Sequence, residues 1–218
     1  MTYHSYADLG GQENAGAVVP EAEGDLFHHS WEPRVLAMTL AMGASGVWNL
    51  DMSRSARETL PDYPRLSYYQ IWFEALRRLV LQTDLASQQE IDDGVLRQPP
   101  VAVPRVLAAA RVAGVLAAGS PAARPIDHPP LFAPGDTVRT RQQPCDHHTR
   151  LPGYARGKIG TIERIHGAHI FADRHAQGLG EAPEWLYGVS FEGAALWPER
   201  GTGSVSIDAW EPYLEPAP

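Results

Sequence analysis

Residues 121–130, PAARPIDHPP, place four prolines in ten positions, and the hydrophobic period of the chain changes across them. Proline fixes φ near −65° and has no N–H, so neither a helix interior nor a central strand holds such a run. It marks a connecting segment. Before it, apolar residues recur at helical spacing. After it, they alternate with polar ones. Periods of 3.6 and 2 cannot belong to one continuous element. The chain is therefore expected to divide into an arm with an α-helical domain (1–120), a proline-rich linker (121–130) and an all-β domain (131–218), an α+β class.

The helical half opens on residues 1–29, which lack apolar periodicity and are punctuated by Gly10, Gly11, Gly16, Pro20 and Gly24. They form either a disordered arm or an extended segment laid on a partner. Ser30 is expected to cap a helix whose first turn holds Glu32 and Pro33, and which ends at Gly43. Asp51 is the expected N-cap of a second helix running to about Leu60. The clearest pattern is SYYQIWFEALRRLVLQT (67–83), with Tyr69, Trp72, Leu76 and Leu79 near helical spacing. A short acidic helix is expected over 86–93 and an alanine-rich one over 106–119. In the second half, turn-punctuated alternating runs near 132–141, 155–165, 184–191 and 204–214 predict a small β-barrel.

The formal charge of −8 argues against a nucleic-acid partner, because phosphate backbones are held by excess Lys and Arg. No apolar run reaches the ~18 residues of a membrane helix, and MTYHSYADLGG lacks the features of a signal peptide. A lone cysteine cannot close an internal disulfide, so a cytoplasmic setting is expected.

No GxSxG, HExxH, Walker loop or GxGxxG is present. Cys145-Asp146-His147-His148 concentrates possible metal donors. Adjacent residues of an extended strand point to opposite faces, so these four converge poorly on one ion, and the expectation is no metal site in this chain. By spacing alone, Arg54 with Glu58 four residues on reads as an exposed ion pair of a few tenths of a kcal/mol. Arg150 reads as a surface cation, and Tyr68 with Trp72 as core or interface aromatics.

Taken in order, several segments resemble the nitrile hydratase β subunit family. ADLGG is similar to its HDxGG opening. HHSWEPRVLAMTLAMGASGVWNLDMSR resembles its W-E…G…N-(L/I)-D-x-x-R stretch, SYYQIW its YYExW helix, and HTRLPGYARGKIGTI its H-(T/I)-R-x-P-x-Y-x-R-G-(K/R)-x-G signature. IDAWEPYLEP resembles VDLWxxYLEP. There are departures. Met52-Ser53 replaces an acidic and a bulky residue, Gln70 replaces an acidic one, and Ile71 stands where some members carry histidine or arginine.

The resemblance implies an SH3-like C-terminal barrel, and a helical domain that contacts an α subunit carrying non-corrin cobalt(III) or non-haem iron(III) on a cysteine claw. Trp72 inclines the choice to cobalt. It implies hydration of nitriles to amides by an αβ unit, assembled as α2β2. Arg54 and Arg150 would hydrogen-bond the oxidised cysteine oxygens of the partner, with Glu58 and His148 orienting them. Tyr68 and Trp72 would line the channel and interface, and Trp48 and Leu50 the nitrile pocket. Thiocyanate hydrolase, which shares the scaffold, and a non-catalytic metal-delivery protein are the rival readings.

Overall fold

The computed structural model describes residues 3–12, 16–21, 23–24, 26–142 and 146–217. Its contacts divide the chain into two compact units, one of His4–Gly119 and the other of residues 120–217 together with Tyr3.

The first unit is helical. Helix α1 spans Glu32–Ala44, with Pro33 in its first turn. Its N-cap is Trp31, one residue later than the expected Ser30. No side chain caps this end; the buried Glu32 carboxylate instead accepts the amides of His28 and His29, at 2.7 and 3.2 Å, and so fixes the segment that leads into the helix. Helix α2 spans Leu50–Glu58, and its N-cap is Asn49, not Asp51. Asn49 has extended backbone and its Oδ1 accepts Met52 N–H at 2.9 Å. Helix α3, Tyr68–Gln82, packs on α1 and α2. Its Gln70 takes over the usual acidic position, accepting the Ser67 amide at 2.8 Å. Ala75, Leu76 and Leu79 on one α3 face meet Trp48 and Ala56 in the core, with Met38, Met42 and Met52 against them. Helix α4, Gln88–Asp93, is capped by Ser87 with Glu90 and stops at Gly94, φ +67°.

The expected helix over 106–119 is reduced to α5, Val112–Ala118, behind a 3-10 turn at Ala109–Arg111. None of its residues is buried. Alanine favours the helix, but a short helix without a packed face is marginal in water.

The second unit is built on β1 (Thr137–Thr140), β2 (Ile159–His169), β3 (Glu184–Glu192), β4 (Ser204–Trp210) and β5 (Leu214–Pro216). They form one antiparallel sheet in the order β4-β3-β2-β1-β5. Val138, Ile162, Val189 and Phe191 fill its core with Phe132, Tyr187, Ala209, Tyr213 and Leu214. The expected barrel is met as an open sheet: among the described residues no ladder joins β4 to β5, and the 3-10 turn Glu211–Tyr213 carries the chain between them. Two register shifts bend β2, the second reaching Gly167 at φ +98°. Short helices α6 (Ala172–Ala176) and α7 (Gly193–Leu196) follow β2 and β3.

The proline-rich stretch is attached to this sheet. Ala123 bridges His169, Arg124 N–H reaches the Ala168 carbonyl at 2.9 Å, and the Arg124 guanidinium pairs with both oxygens of Glu181 at 2.6 and 2.7 Å. Missing proline donors leave room for neighbouring residues to pair in this way at an edge.

Candidate functional site

Each unit carries one of the two arginines singled out by sequence. In the helical unit, Arg54 stands one turn into α2. Its Nη1 donates to Asp51 Oδ1 at 2.9 Å; the arginine side chain is 40% exposed and the aspartate 7%. A carboxylate in the first helical turn also meets the positive end of the helix dipole, so Asp51 holds one edge of the guanidinium from a well-supported position. Sequence spacing also points to Glu58 as a partner. Its backbone carbonyl accepts Tyr6 N–H at 2.8 Å, tying the arm to the end of α2.

Arg57, three residues after Arg54, is the cation that sequence reading passed over. Its guanidinium carbon lies 5.0 Å from the centre of the Trp72 ring, and its Nε and Nη2 donate to the Ser53 carbonyl and hydroxyl at 3.2 and 3.4 Å. Burial, and then the Arg54 charge, lower its pKa below the ordinary arginine value. The signal was present in the R-x-x-R spacing, which puts two cations on one helix face.

The aromatics divide by exposure. Trp48 is 6% exposed and lies in the core, lining a cavity of about 10 Å³ with Thr39, Ser53, Arg57 and Trp72. Leu50 and Tyr68 are at the surface, 52% and 63% exposed. The Tyr68 and Trp72 rings sit 5.5 Å apart, with Tyr69 against both and Phe27 of the arm 5.4 Å from Tyr69. The structure thus gathers Arg54, Arg57, Tyr68 and Trp72 on α2 and α3, and leaves Trp48 beneath them.

In the sheet unit, the segment around Arg150 is a mount whose residues have separable jobs. His148 is buried and its Nδ1 hydrogen-bonds to the Tyr3 hydroxyl at 3.0 Å. Leu151 and Ala155 enter the core. Tyr154 packs on Trp197, ring centres 5.4 Å apart. Arg156 returns to the Leu151 carbonyl at 3.2 and 3.4 Å, and Gly157 takes φ +68° so that its amide reaches Thr140 at 3.1 Å. Arg150 itself is exposed, with its backbone N–H fixed on the Tyr213 hydroxyl at 2.9 Å.

Behind Arg150 lies a carboxylate that no motif marks. Asp173 on α6 is 2% exposed and accepts from the Tyr213 hydroxyl, with the Thr149 hydroxyl and the Arg150 amide also favouring its charged form. Burial pushes its pKa up to about 6, against those hydrogen bonds and the charge of His147. Tyr213 is pushed well above the ordinary tyrosine value by burial and by Asp173. A second pair braces the same sheet: Tyr187 donates to Glu211, whose Oε2 also accepts Leu131 N–H at 2.9 Å. The C-terminal AWEPYL segment therefore supplies both Glu211 and Tyr213 as internal fasteners.

Of the possible metal donors, Cys145 lies outside the described residues. His147 Nδ1 donates to the His148 carbonyl at 2.9 Å, with Asp146 Oδ1 3.9 Å from its Nε2. Among the described residues no group of three or more His, Cys, Asp or Glu side chains is placed to hold a metal ion.

Two family models match this chain: nitrile hydratase beta subunit, N-terminal, over residues 3–113, and nitrile hydratase beta subunit, C-terminal, over residues 121–216. The low-molecular weight cobalt-containing nitrile hydratase subunit beta of Rhodococcus rhodochrous is 36% identical over 227 aligned positions, covering 96% of this chain and 98% of that one. The cobalt-containing nitrile hydratase subunit beta of Pseudonocardia thermophila is 33% identical, covering 95% and 94%. Thiocyanate hydrolase subunit alpha of Thiobacillus thioparus is 36% identical over 90 residues, 39% of this chain and 71% of that one. With both models matched in order and similarity running through both units, the chain belongs to the nitrile hydratase β subunit family.

Proposed function

We propose that this chain is the β subunit of a cobalt nitrile hydratase, active in hydrating nitriles to amides only when joined to a metal-bearing α subunit. The observation that carries the reading is similarity over nearly the whole chain to two β subunits named as cobalt-containing. Iron remains the alternative metal of the family resemblance. The metal would sit on the α subunit and supply Lewis acidity toward the nitrile or the attacking water.

This chain's contribution is a pair of arginines. Oxidised cysteine ligands carry negative oxygens, and a guanidinium stays protonated while offering planar donors to them. Arg54 reaches them braced by Asp51, and Arg150 is presented by a loop whose neighbours are committed to packing. His148 steadies that loop through Tyr3, and Glu58 steadies the α2 terminus. Holding the oxidised sulfurs fixed tunes the metal from outside its ligand set. Tyr68, Trp72 and Leu50 form the surface toward the partner and the nitrile channel, with Trp48 supporting them from the core. The sheet unit is read as an SH3-like barrel left partly open, supported by its strand order and the 3-10 turn before β5. The chain's domains are taken as 1–120, 121–130 and 131–218, its assembly as α2β2 and its location as the cytoplasm. No helix among the described residues is long and apolar enough to cross a membrane.

The test is metal content and amide formation for this chain alone and after co-expression with an α subunit. The expected result is cobalt, about one per αβ pair, and turnover only in the complex. Arg54→Lys or Arg150→Lys in a fully metallated complex should lower turnover at least ~10-fold, about 1.4 kcal/mol of barrier; unchanged turnover removes the assigned role. The partial match to a thiocyanate hydrolase subunit favours one second reading, and a metallated complex that ignores nitriles but hydrolyses thiocyanate would establish it.

A further inference from the structure

Three of the four residues that end at Arg150, namely His147, Thr149 and Arg150 itself, approach one buried pair, Asp173 and Tyr213. Asp173 Oδ1 accepts the Tyr213 hydroxyl proton, and the Tyr213 oxygen in turn accepts Arg150 N–H at 2.9 Å. The Thr149 hydroxyl and the Arg150 amide also favour the charged form of the Asp173 carboxylate. His147 Nδ1 lies 3.8 Å from Asp173 Oδ2 and donates to the carbonyl of His148. The neighbouring His148 is held separately, its Nδ1 hydrogen-bonded to the Tyr3 hydroxyl.

This arrangement is unusual for a structural carboxylate. A buried negative charge is costly unless paired, and the one basic side chain within ion-pair distance of it among the described residues is the part-exposed His147 imidazole. On its own helix the charged neighbours are Arg174 and His175. The acceptors of Asp173 are instead directed at neutral donors of residues 149, 150 and 213. A retained buried charge whose bonds converge on one exposed arginine's backbone fits a demand for placement better than a demand for stability. Tyr213 is suited to the link because it is held in the core by Phe171 and Trp210, with ring centres 5.7 and 6.0 Å away. The bond from Arg150 to the sheet therefore has a rigid base.

We propose that Asp173, acting through Tyr213 and Thr149, is the positioning residue for Arg150, fixing its backbone so that the guanidinium meets the anionic oxygens of the partner subunit. The inference rests on the role given to Arg150 above. Small displacements of a group that must meet a reacting centre are enough to lower turnover, so the effect should fall on kcat more than on KM.

The experiment uses the metallated αβ complex and compares Asp173→Asn, Tyr213→Phe, Arg150→Lys and the two double variants that contain Arg150→Lys. Asp173→Asn is expected to keep the metal content and lower kcat at least ~10-fold, with KM changed by less than about threefold. In the Arg150→Lys background the same change should add less than about threefold, because the two act as one unit. Tyr213→Phe keeps the ring and removes the hydroxyl link; it should reproduce the kcat loss and serves as the readout if Asp173→Asn fails to assemble. Full kcat in either single variant, beside a large loss in Arg150→Lys, overturns the positioning role alone. Losses that multiply independently overturn it as well, assigning Asp173 to general stability. Full turnover in Arg150→Lys instead removes the arginine's role, and the inference with it.

Discussion

Replacing Asp173 with asparagine should change how the stability of the sheet unit depends on pH, and the sign is unusual for a carboxylate. Its pKa is raised in the folded chain from 3.8 to about 6, chiefly by burial. A carboxyl raised in this way binds its proton more tightly folded than unfolded. Its favourable contribution is fully present below the unfolded value, near pH 4, and is lost as pH rises through about 6. A shift of about two units corresponds to roughly 3 kcal/mol. Asparagine has the same shape and cannot titrate. The unfolding free energy of Asp173→Asn minus that of the parent should therefore rise by roughly 3 kcal/mol between about pH 4 and pH 7.5. Urea unfolding of the full chain measures it, with amide exchange along β2 and β3 assigning the transition to this unit. Taking the difference cancels titrating groups elsewhere. Repeating it in a His147→Gln background removes the imidazole that faces the carboxylate. A difference that stays flat across the window refutes the reasoning, and one that falls with pH means that the hydrogen bonds outweigh burial.

Other perturbations have outcomes that follow from the same geometry. Glu90 accepts the amides of Ser87, Arg97 and Gln98 at 2.8, 2.7 and 2.9 Å, which hold its pKa down to about 2; its contribution is present above about 4.5 and lost as pH falls toward about 2. Glu90→Gln should flatten the acid limb of unfolding in the helical unit and speed amide exchange at Arg97 and Gln98, whereas unchanged exchange would remove that anchoring role. Phe191, fully buried against Val189 and Ile162 in the sheet core, should cost about 3–5 kcal/mol when cut to alanine, read by chemical denaturation. Gly160 has no room for a side chain: a Cβ there would stand 2.7 Å from the Ser190 carbonyl oxygen. Gly160→Ala should lower the Tm of this unit or push the β2–β3 register apart, visible in amide chemical shifts. Asp51→Asn removes the charge that braces Arg54 and should lower kcat of the metallated complex between about twofold and tenfold; activity at the parent level would show that Asp51 only supports the helix.

The elements that sequence pattern predicted best are those whose local chemistry and burial agree. Helix α3 was expected over 67–83 and spans Tyr68–Gln82, because Ser67, Gln70 and an apolar stripe all favour the same segment. Where two residues offered the same chemistry, pattern could not choose. Asn49 and Asp51 both suit an N-cap, and only the backbone at Asn49, φ −100° and ψ 176°, decides that Asp51 lies inside α2 and is available to Arg54. The alanine-rich 106–119 stretch shows the opposite failure, since propensity without a surface to pack on yields only Val112–Ala118.

The ordered motifs identify the family, and single out Arg54 and Arg150 as candidates, because a motif is a local string and survives being read in one dimension. Period and punctuation likewise divide helices from strands at the proline-rich stretch. Asp173 is invisible to that reading. It sits in A-D-R-H-A, an unremarkable polar run, and acquires meaning because α6 brings it under Thr149 and against Tyr213, 40 residues away along the chain. Burial is a property of the packed sheet unit. It alone turns an ordinary carboxyl into one with a pKa raised to about 6, and low dielectric strengthens the hydrogen bonds it makes. The amino-acid order thus determines which residues are present and which local shapes they favour, while tertiary structure decides which of them lose water and meet, and that loss of water sets their charge.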